Sequence, residues 1–457
     1  MSLNPYSRPA QNVLTSASLP VQASEFWLLM GFAAHLPLAL LMHNLRLAAT
    51  IHGWGVFALG LWFVARDKKP FRLIYLTGYI IGAEVLWRMT KAAVFWEFGK
   101  YAIGFLMLLA LVKWRSKLKP ASFLYGLLLI PGIALTFSNY SLSAARSAVS
   151  FNLSGPFLLT IAALFFSGKE LTKQQLKLLS LYIMMPICCI AFLAFFSIHT
   201  AFSINFTQSN VVASGGYGPN QVSAILGLGA LLGWLYILDH KKFSLMNVVV
   251  GGLLLWFIGQ AFLTFSRGGV FNFLVAGSLS TIYITSKTRN YKTILIFCPI
   301  LLAIFVYMLF RIDAFTGHSL QERFTETQTT GRWQLMQQDI KLWQENFLFG
   351  VGPGRSPALR GGGGIQFGGL TMNTPEGMAP HTEYTRLLAE HGLFGLLALI
   401  LLFYMFLQAF LKAPNAFARG VTLAFMTWSL AEMSHAAMRI AAISYLYALP
   451  FANLKEE

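Results

Sequence analysis

The sequence predicts an all-α, polytopic integral membrane protein with about 12–14 transmembrane helices and one large outer loop that contains helices. Three observations predict it. The 457 residues are 56% hydrophobic and 15% aromatic but only 11% charged, which is too apolar for a water-soluble chain of this length. Apolar runs long enough to span a bilayer recur along almost the whole chain. The polar loops between them are short, except for one stretch from Arg311 to Gly392.

Taken in order, Met1 to Ala23 is polar and lacks the form of a cleavable signal, so residues 1–24 are expected to be a cytoplasmic tail. Apolar spans follow near 25–43, 48–65, 73–88, 99–112, 121–137, 153–167, 178–198, 219–238, 245–264, 270–285, 293–310, 393–411, 421–437 and 440–453. Several fall short of the ideal ~20 residues, hence the range in the count. The expected organisation is a tail (1–24), spans with short loops (25–310), the large periplasmic loop (311–392), then C-terminal spans and a short tail (393–457). Cys188, Cys189 and Cys298 all lie in apolar spans and imply neither a disulfide framework nor a metal site.

Under strict alternation the loops RDKKPFR (66–72), KWRSKLK (113–119), GKELTKQQLK (168–177), DHKKFS (239–244) and SKTRNYK (286–292) share one side. They hold most of the lysines, so that side is expected to be cytoplasmic. The net charge of +17 follows from this retention together with a basic site for an anion. Its scatter between apolar spans argues against a nucleic-acid partner.

The outer loop holds two expected helices, one from about Thr330 and one in MAPHTEYTRLLAEHGLFG (378–395). Between them GVGPG (350–354) is a breaker, and RGGGGIQFGG (360–369) is a segment no regular element would tolerate, either a mobile flap or a linker. With Pro380 near the first turn, His381 sits at a helix N-terminus on the membrane–water boundary, leading into the membrane. That positive end disfavours imidazolium and leaves a neutral ring able to accept a proton, which Glu383 would orient; the alternative is a surface or capping histidine.

Arg267 in FSRGG (265–269) ends a very apolar span, where a guanidinium either faces a polar cavity or snorkels to headgroups. Arg332, in the first turn of an outer helix, is a poor complement to that helix end, so it meets an anionic ligand or a surface salt bridge with Asp339 or Glu345. Arg146 in SAARSAV and Arg439 in HAAMRIA also face outward and join the candidates. Asn220 and Gln221, in GGYGPNQVS (215–223), form either a polar lip for a sugar or phosphate or an ordinary helix start. No P-loop and no metal-ligand spacing occurs in the sequence, so energy for synthesis would arrive in an activated lipid substrate.

SRGG after an apolar span, then GRWQLMQQDIKLWQENFLFGVGPG, then PHTEYTRLLAEHGLFG before another span resembles the O-antigen ligase family in order and spacing. GPNQ upstream is a looser match. The wider superfamily also holds O-antigen polymerases and protein O-oligosaccharyltransferases. The resemblance implies transfer of polysaccharide from an undecaprenyl diphosphate donor onto a lipid A–core acceptor, in the inner membrane with the site facing the periplasm, without a cofactor. It places the family's histidine on His381 and its arginines on Arg267 and Arg332, with Thr382 where many relatives carry Asn or Ser.

A polymerase is the nearest alternative, but polymerases tend to have two sizeable outer loops and residues 199–217 are few. A lipid-linked sugar flippase is the distant one. Its ionisable groups would lie near the bilayer midplane, where this sequence offers mainly Glu84 and Arg88 at i, i+4. Sidedness is directly testable: a cysteine placed at 355–370 is expected to react with an impermeant thiol reagent added outside, and one at 115 or 289 is not. Labelling at 289 without labelling at 362 would reverse the topology.

Overall fold

The computed structural model describes residues 25–114, 120–200, 209–238, 244–288, 332–360 and 381–456, with isolated positions between 303 and 316 and the pairs 366–367 and 370–371. The N-terminal tail, the lysines at 115–119, 239–243 and 289–292, most of the 293–310 span and most of the glycine-rich segment lie outside these.

The fold is a helical bundle. In chain order its helices are α1 (Glu25–Asn44), α2 (Arg46–Arg66), α3 (Phe71–Met89), α4 (Phe98–Lys113), α5 (Pro120–Leu128), α6 (Ile130–Asn139), α7 (Leu142–Phe166), α8 (Lys173–Thr200), α9 (Pro219–Leu238), α10 (Leu245–Leu263) and α11 (Arg267–Thr288). They continue as α12 (Arg332–Glu345), α13 (Ser356–Leu359), α14 (Glu383–Lys412), α15 (Ala416–Met433) and α16 (Ala441–Ala448). Serine and asparagine caps start several of them: Ser141, Ser244 and Asn415 each accept a first-turn backbone N–H.

Among the described residues nine helices are long and apolar enough to cross a membrane, counting α5 with α6 as one. Part of the difference from the expected count lies in 293–310, mostly outside the described residues; several other expected spans fall short for physical reasons. Helix α3 carries Arg72, Glu84 and Arg88, and α4 has only 16 residues. The expected span at 440–453 is an eight-residue helix, α16, followed by a 3-10 turn. Every residue from Ile183 to Ala191 in α8 is buried, as an apolar helix at the centre of a bundle must be.

The bundle has two distinct ends. At one, Lys113 Nζ donates to the carbonyls of Val64 and Ala65, at 2.6 and 2.9 Å, and Lys169 Nζ donates to Trp114 O at 2.6 Å. There β1 (Glu170–Thr172) pairs in parallel with the C-terminal strand Asn453–Lys455, beside Lys412. The opposite end gathers the α3–α4 turn, the start of α9, the start of α11 and residues 434–440. Within the glycine-rich segment β2 (Gln366–Phe367) pairs antiparallel with β3 (Leu370–Thr371), so that stretch does hold a small regular element; the C-terminal strand is β4.

Helix α14 does not simply lead into the membrane. It is broken at Gly392, with φ +59° and ψ −131°. Tyr384 and Phe403 would stand about 28 Å apart along a continuous helix, yet their rings stack at 6.1 Å. The limb 383–391 therefore folds back along the limb 393–412. GVGPG closes the bend: Val351 N and Gly352 N donate to the carbonyls of Ala389 and Glu390, both at 2.9 Å. These carbonyls end the first limb and would otherwise lack partners.

Only glycine suits position 392. Its backbone conformation is closed to other residues, and a Cβ there would stand 2.5 Å from Phe347 O. Gly392→Ala is expected to cost at least ~1–3 kcal/mol, read as a lower melting temperature of purified protein in detergent. An unchanged melting temperature would mean that the reversal at this residue is wrong.

Candidate active site

The first limb of α14 is the platform of the site. Thr382 is its N-cap, with Oγ1 accepting from Tyr384 N at 3.1 Å and Thr385 N at 3.3 Å. The helix thus begins at Glu383, later than Pro380 suggests, and His381 precedes the cap. The reversal at Gly392 turns this end back into the bundle and away from a simple boundary position. Burial is the largest influence on the His381 ring and pushes its pKa down to about 4, assisted by the charges of Arg332, Arg439 and Arg360.

Each of these arginines comes from a different element. Arg332 opens α12, and α12 is latched to α14 through the buried Asp339, which accepts from Thr385 Oγ1 at 3.0 Å. Arg360 follows α13 and reaches the same carboxylate, with Nε 2.8 Å from Asp339 Oδ1. Asp339 is therefore a buried brace for Arg360 and Thr385, not a surface partner for Arg332. Arg439 lies in the irregular segment 434–440, its guanidinium 4.0 Å from the centre of the Phe151 ring.

Glu383 does not turn toward the histidine. Both its oxygens meet Arg386, which also donates from Nη1 to Glu390 Oε2 at 2.7 Å. Spacings of three and four residues align these side chains on one face of the limb, and all three are fully buried. Ser356 Oγ donates to Glu390 Oε1 at 3.1 Å and ties α13 to the same row.

A second lobe lies at the starts of α9 and α11. Ser266 Oγ donates to Asn220 Oδ1 at 2.8 Å, and Ser223 Oγ donates to Ser266 O at 2.8 Å. Arg267, half-buried, is the first residue of α11. Gln221 Oε1 accepts from Arg88 Nη1 at 2.7 Å and from Tyr217 Oη at 3.0 Å. The expected Glu84–Arg88 pair is present at 2.8 Å.

Arg88 joins the lobes, because the same Nη1 also donates to Arg439 O at 3.1 Å. Of the residues singled out in the sequence, His381, Arg332 and Arg439 come together; Arg267, Asn220 and Gln221 form the adjoining lobe. Arg146 stands exposed near the start of α7.

Sequence reasoning missed Arg360, which is held at the site by a contact with Asp339, 21 residues away. It also missed the buried Lys100–Glu97 pair, whose i, i+3 spacing at the start of a span was a readable signal. Nor did it find His435, which lies 3.0 Å from Glu432, with Asn272 bonded to the same carboxylate. Among the described residues no three His, Cys, Asp or Glu side chains converge as a metal site.

Comparison with known families bears on the same region. Residues 252–400 match the O-antigen ligase family model. A search of curated proteins returns no match. The matched stretch takes in part of α10, all of α11, α12 and α13, and the bend of α14, and so includes Arg267, Arg332, Arg360 and His381.

The neutral histidine is measurable. With 15N-labelled histidine in purified protein, His381 is expected to stay neutral through pH 5 and to gain a proton only near pH 4, the value its surroundings impose. A resonance, assigned through His381→Gln, that titrates at the ordinary ~6.5 would contradict this environment.

Proposed function

We propose that this chain is a glycosyltransferase that ligates an undecaprenyl-diphosphate-linked polysaccharide to lipid A–core at the periplasmic face of a bacterial inner membrane. The feature that supports the reading is a half-buried histidine whose pKa is pushed down by burial and by three arginines, with His381, Arg332 and Arg360 inside the stretch matched to O-antigen ligases. A neutral imidazole can take a proton. Guanidinium groups suit the oxygens of a diphosphate.

In this mechanism the acceptor hydroxyl gives its proton to His381 as its oxygen attacks the anomeric carbon of the lipid-linked sugar. The new carbon–oxygen bond forms while the bond from that carbon to the diphosphate oxygen breaks, and the electron pair leaves with undecaprenyl diphosphate. One displacement inverts the anomeric centre. Arg332, Arg439 and Arg360 meet the departing charge, and Arg267 approaches it from the second lobe. Each guanidinium within 4 Å of a phosphate charge supplies about 4 kcal/mol of raw Coulomb attraction at an effective dielectric near 20, before desolvation. This charge lets the reaction proceed without a metal ion.

The pH dependence follows from the sign of the histidine shift. Base competence is present above the pKa of His381 and lost as pH falls through it. Bound diphosphate favours imidazolium, so the fall during turnover lies above the value near 4 set by the protein alone.

A polymerase could use the same chemistry on a different acceptor, and the two are separated by what accumulates when the protein is lost. Full-length lipid-linked polymer is expected; single lipid-linked repeats would identify a polymerase, and repeats retained in the cytoplasm a flippase. With purified protein, donor and acceptor, His381→Ala is expected to bind donor but lose about 10²–10⁴-fold in transfer. Arg332→Ala and Arg267→Ala should nearly abolish transfer, with Lys restoring part. Full activity in His381→Ala, or a strict need for added divalent cation, would overturn this mechanism.

A further inference from the structure

The turn between α3 and α4 presents Trp96, whose surroundings differ from those of a ring that merely sits at a membrane interface. Trp96 is 53% exposed. Its carbonyl accepts twice from Arg88, from Nε at 3.3 Å and from Nη2 at 3.1 Å, and its ring lies 5.1 Å from the same guanidinium. That guanidinium is almost wholly buried and fixed by Glu84 and Gln221. An exposed aromatic ring is thus clamped from beneath by a buried ion pair. A lipid-facing belt residue needs no such clamp.

Tyr217 extends the platform from the start of α9, its ring 6.0 Å from that of Trp96 and tilted by 47°. Beside it stand Asn220 and Gln221, and their hydrogen bonds are directional. The Asn220 oxygen is occupied by Ser266, and the Gln221 oxygen by Arg88 and Tyr217. Both residues are half-buried, and among the described residues neither amide NH₂ is hydrogen-bonded. The inward contacts therefore leave two donors for a ligand rich in acceptor oxygens.

We propose that Trp96, Tyr217, Asn220 and Gln221 form a saccharide subsite. One pyranose ring lays its C–H face on Trp96 and offers hydroxyl oxygens to the two amides. Arg88 sets the position of this subsite relative to the histidine, because it holds the Trp96 and Arg439 carbonyls at once and the charge of Arg439 acts on His381. The sugar belongs either to the lipid-linked donor or to the acceptor. This inference rests on the transferase reading above.

The test is steady-state transfer by the purified full-length protein, varying donor and acceptor separately, with wild type as the check on the transferase reading itself. Trp96→Leu, which keeps an apolar side chain for lipid, is expected to raise KM about tenfold for one of the two substrates while kcat changes little. Trp96→Phe should recover most of that loss. The substrate whose KM moves is the one whose sugar occupies the subsite.

Asn220→Asp keeps the acceptor for Ser266 and removes the outward donor, so it should raise KM for the same substrate, with the melting temperature confirming a folded protein. Unchanged KM for both substrates in Trp96→Leu would overturn the subsite and leave the transferase reading standing. KM values that are equal in Trp96→Leu and Trp96→Phe would show that the aromatic face is not used by a sugar and overturn it too. Absence of transfer by the wild type is a failure of the earlier reading.

Discussion

Unwound backbone inside a membrane protein must find every hydrogen-bond partner within the protein, because lipid offers none. Residues 434–440 are such a segment; Ser434, His435 and Ala436 N–H groups turn to nearby carbonyls, and charged side chains serve the stretch that follows. Met438 O accepts from Lys100 Nζ at 3.1 Å, and Met438 N donates to Glu383. Arg439 O accepts from Arg88, and Ala441 N donates to Glu84 Oε2 at 2.6 Å. Four charged side chains from three helices thus grip one stretch of peptide. The grip also holds the charges in place, since each has an opposite partner: Glu84 with Arg88, Lys100 with Glu97, Glu383 with Arg386. Deleting one member would strand a buried charge as well as a peptide group, a loss of several kcal/mol and on the order of 3–5 for such pairs.

The rest of the site is arranged around that segment. Arg439 is presented from it, the first limb of α14 is bonded to it through Glu383, and α3 reaches from it to the start of α9 through Arg88. Helix α12 is latched onto α14 by Asp339, so Arg332 arrives on an element whose own helical propensity would not place it there. The family match begins only at residue 252. Glu84, Arg88, Glu97 and Lys100 come before it, so the matched stretch depends on support from residues outside the match.

Much of this was legible in the sequence, and the limits have physical causes. Apolar runs mark the helices because bilayer length and 3.6-residue geometry leave few alternatives. His381, Arg332 and Arg439 stood out because ionisable groups are costly beside apolar spans, and that cost is local information. The reversal at Gly392 was not legible. A glycine inside an apolar pattern reads as a tolerated residue, and the bend shows only in three dimensions, in the Gly392 dihedrals and the contact of Tyr384 with Phe403. The pairing of Arg386 with Glu383 and Glu390 is legible in i, i+3 and i, i+4 spacing, a firmer local signal than the nearness of Glu383 to His381 in sequence. Arg360 depends on a contact with the distant Asp339, to which periodicity is blind, whereas His435 pairs with Glu432 at i, i+3, a spacing that was readable.

The folded-back limb of α14 has a geometric consequence. Its nine residues, 383–391, hang the histidine about 12 Å from the bend at Gly392, toward the lysine-bearing end of the bundle. The bend is anchored by GVGPG, so the depth of the ring is measured out by protein and does not float with the thickness of the surrounding lipid. The limb is a fixed plumb line. One helical turn more or less would shift the ring by about 5 Å along the bundle axis, out of step with Arg439 and with the Asp339 latch that carries Arg332 and Arg360. The registry between proton acceptor and cations is therefore encoded in the length of a single short helix.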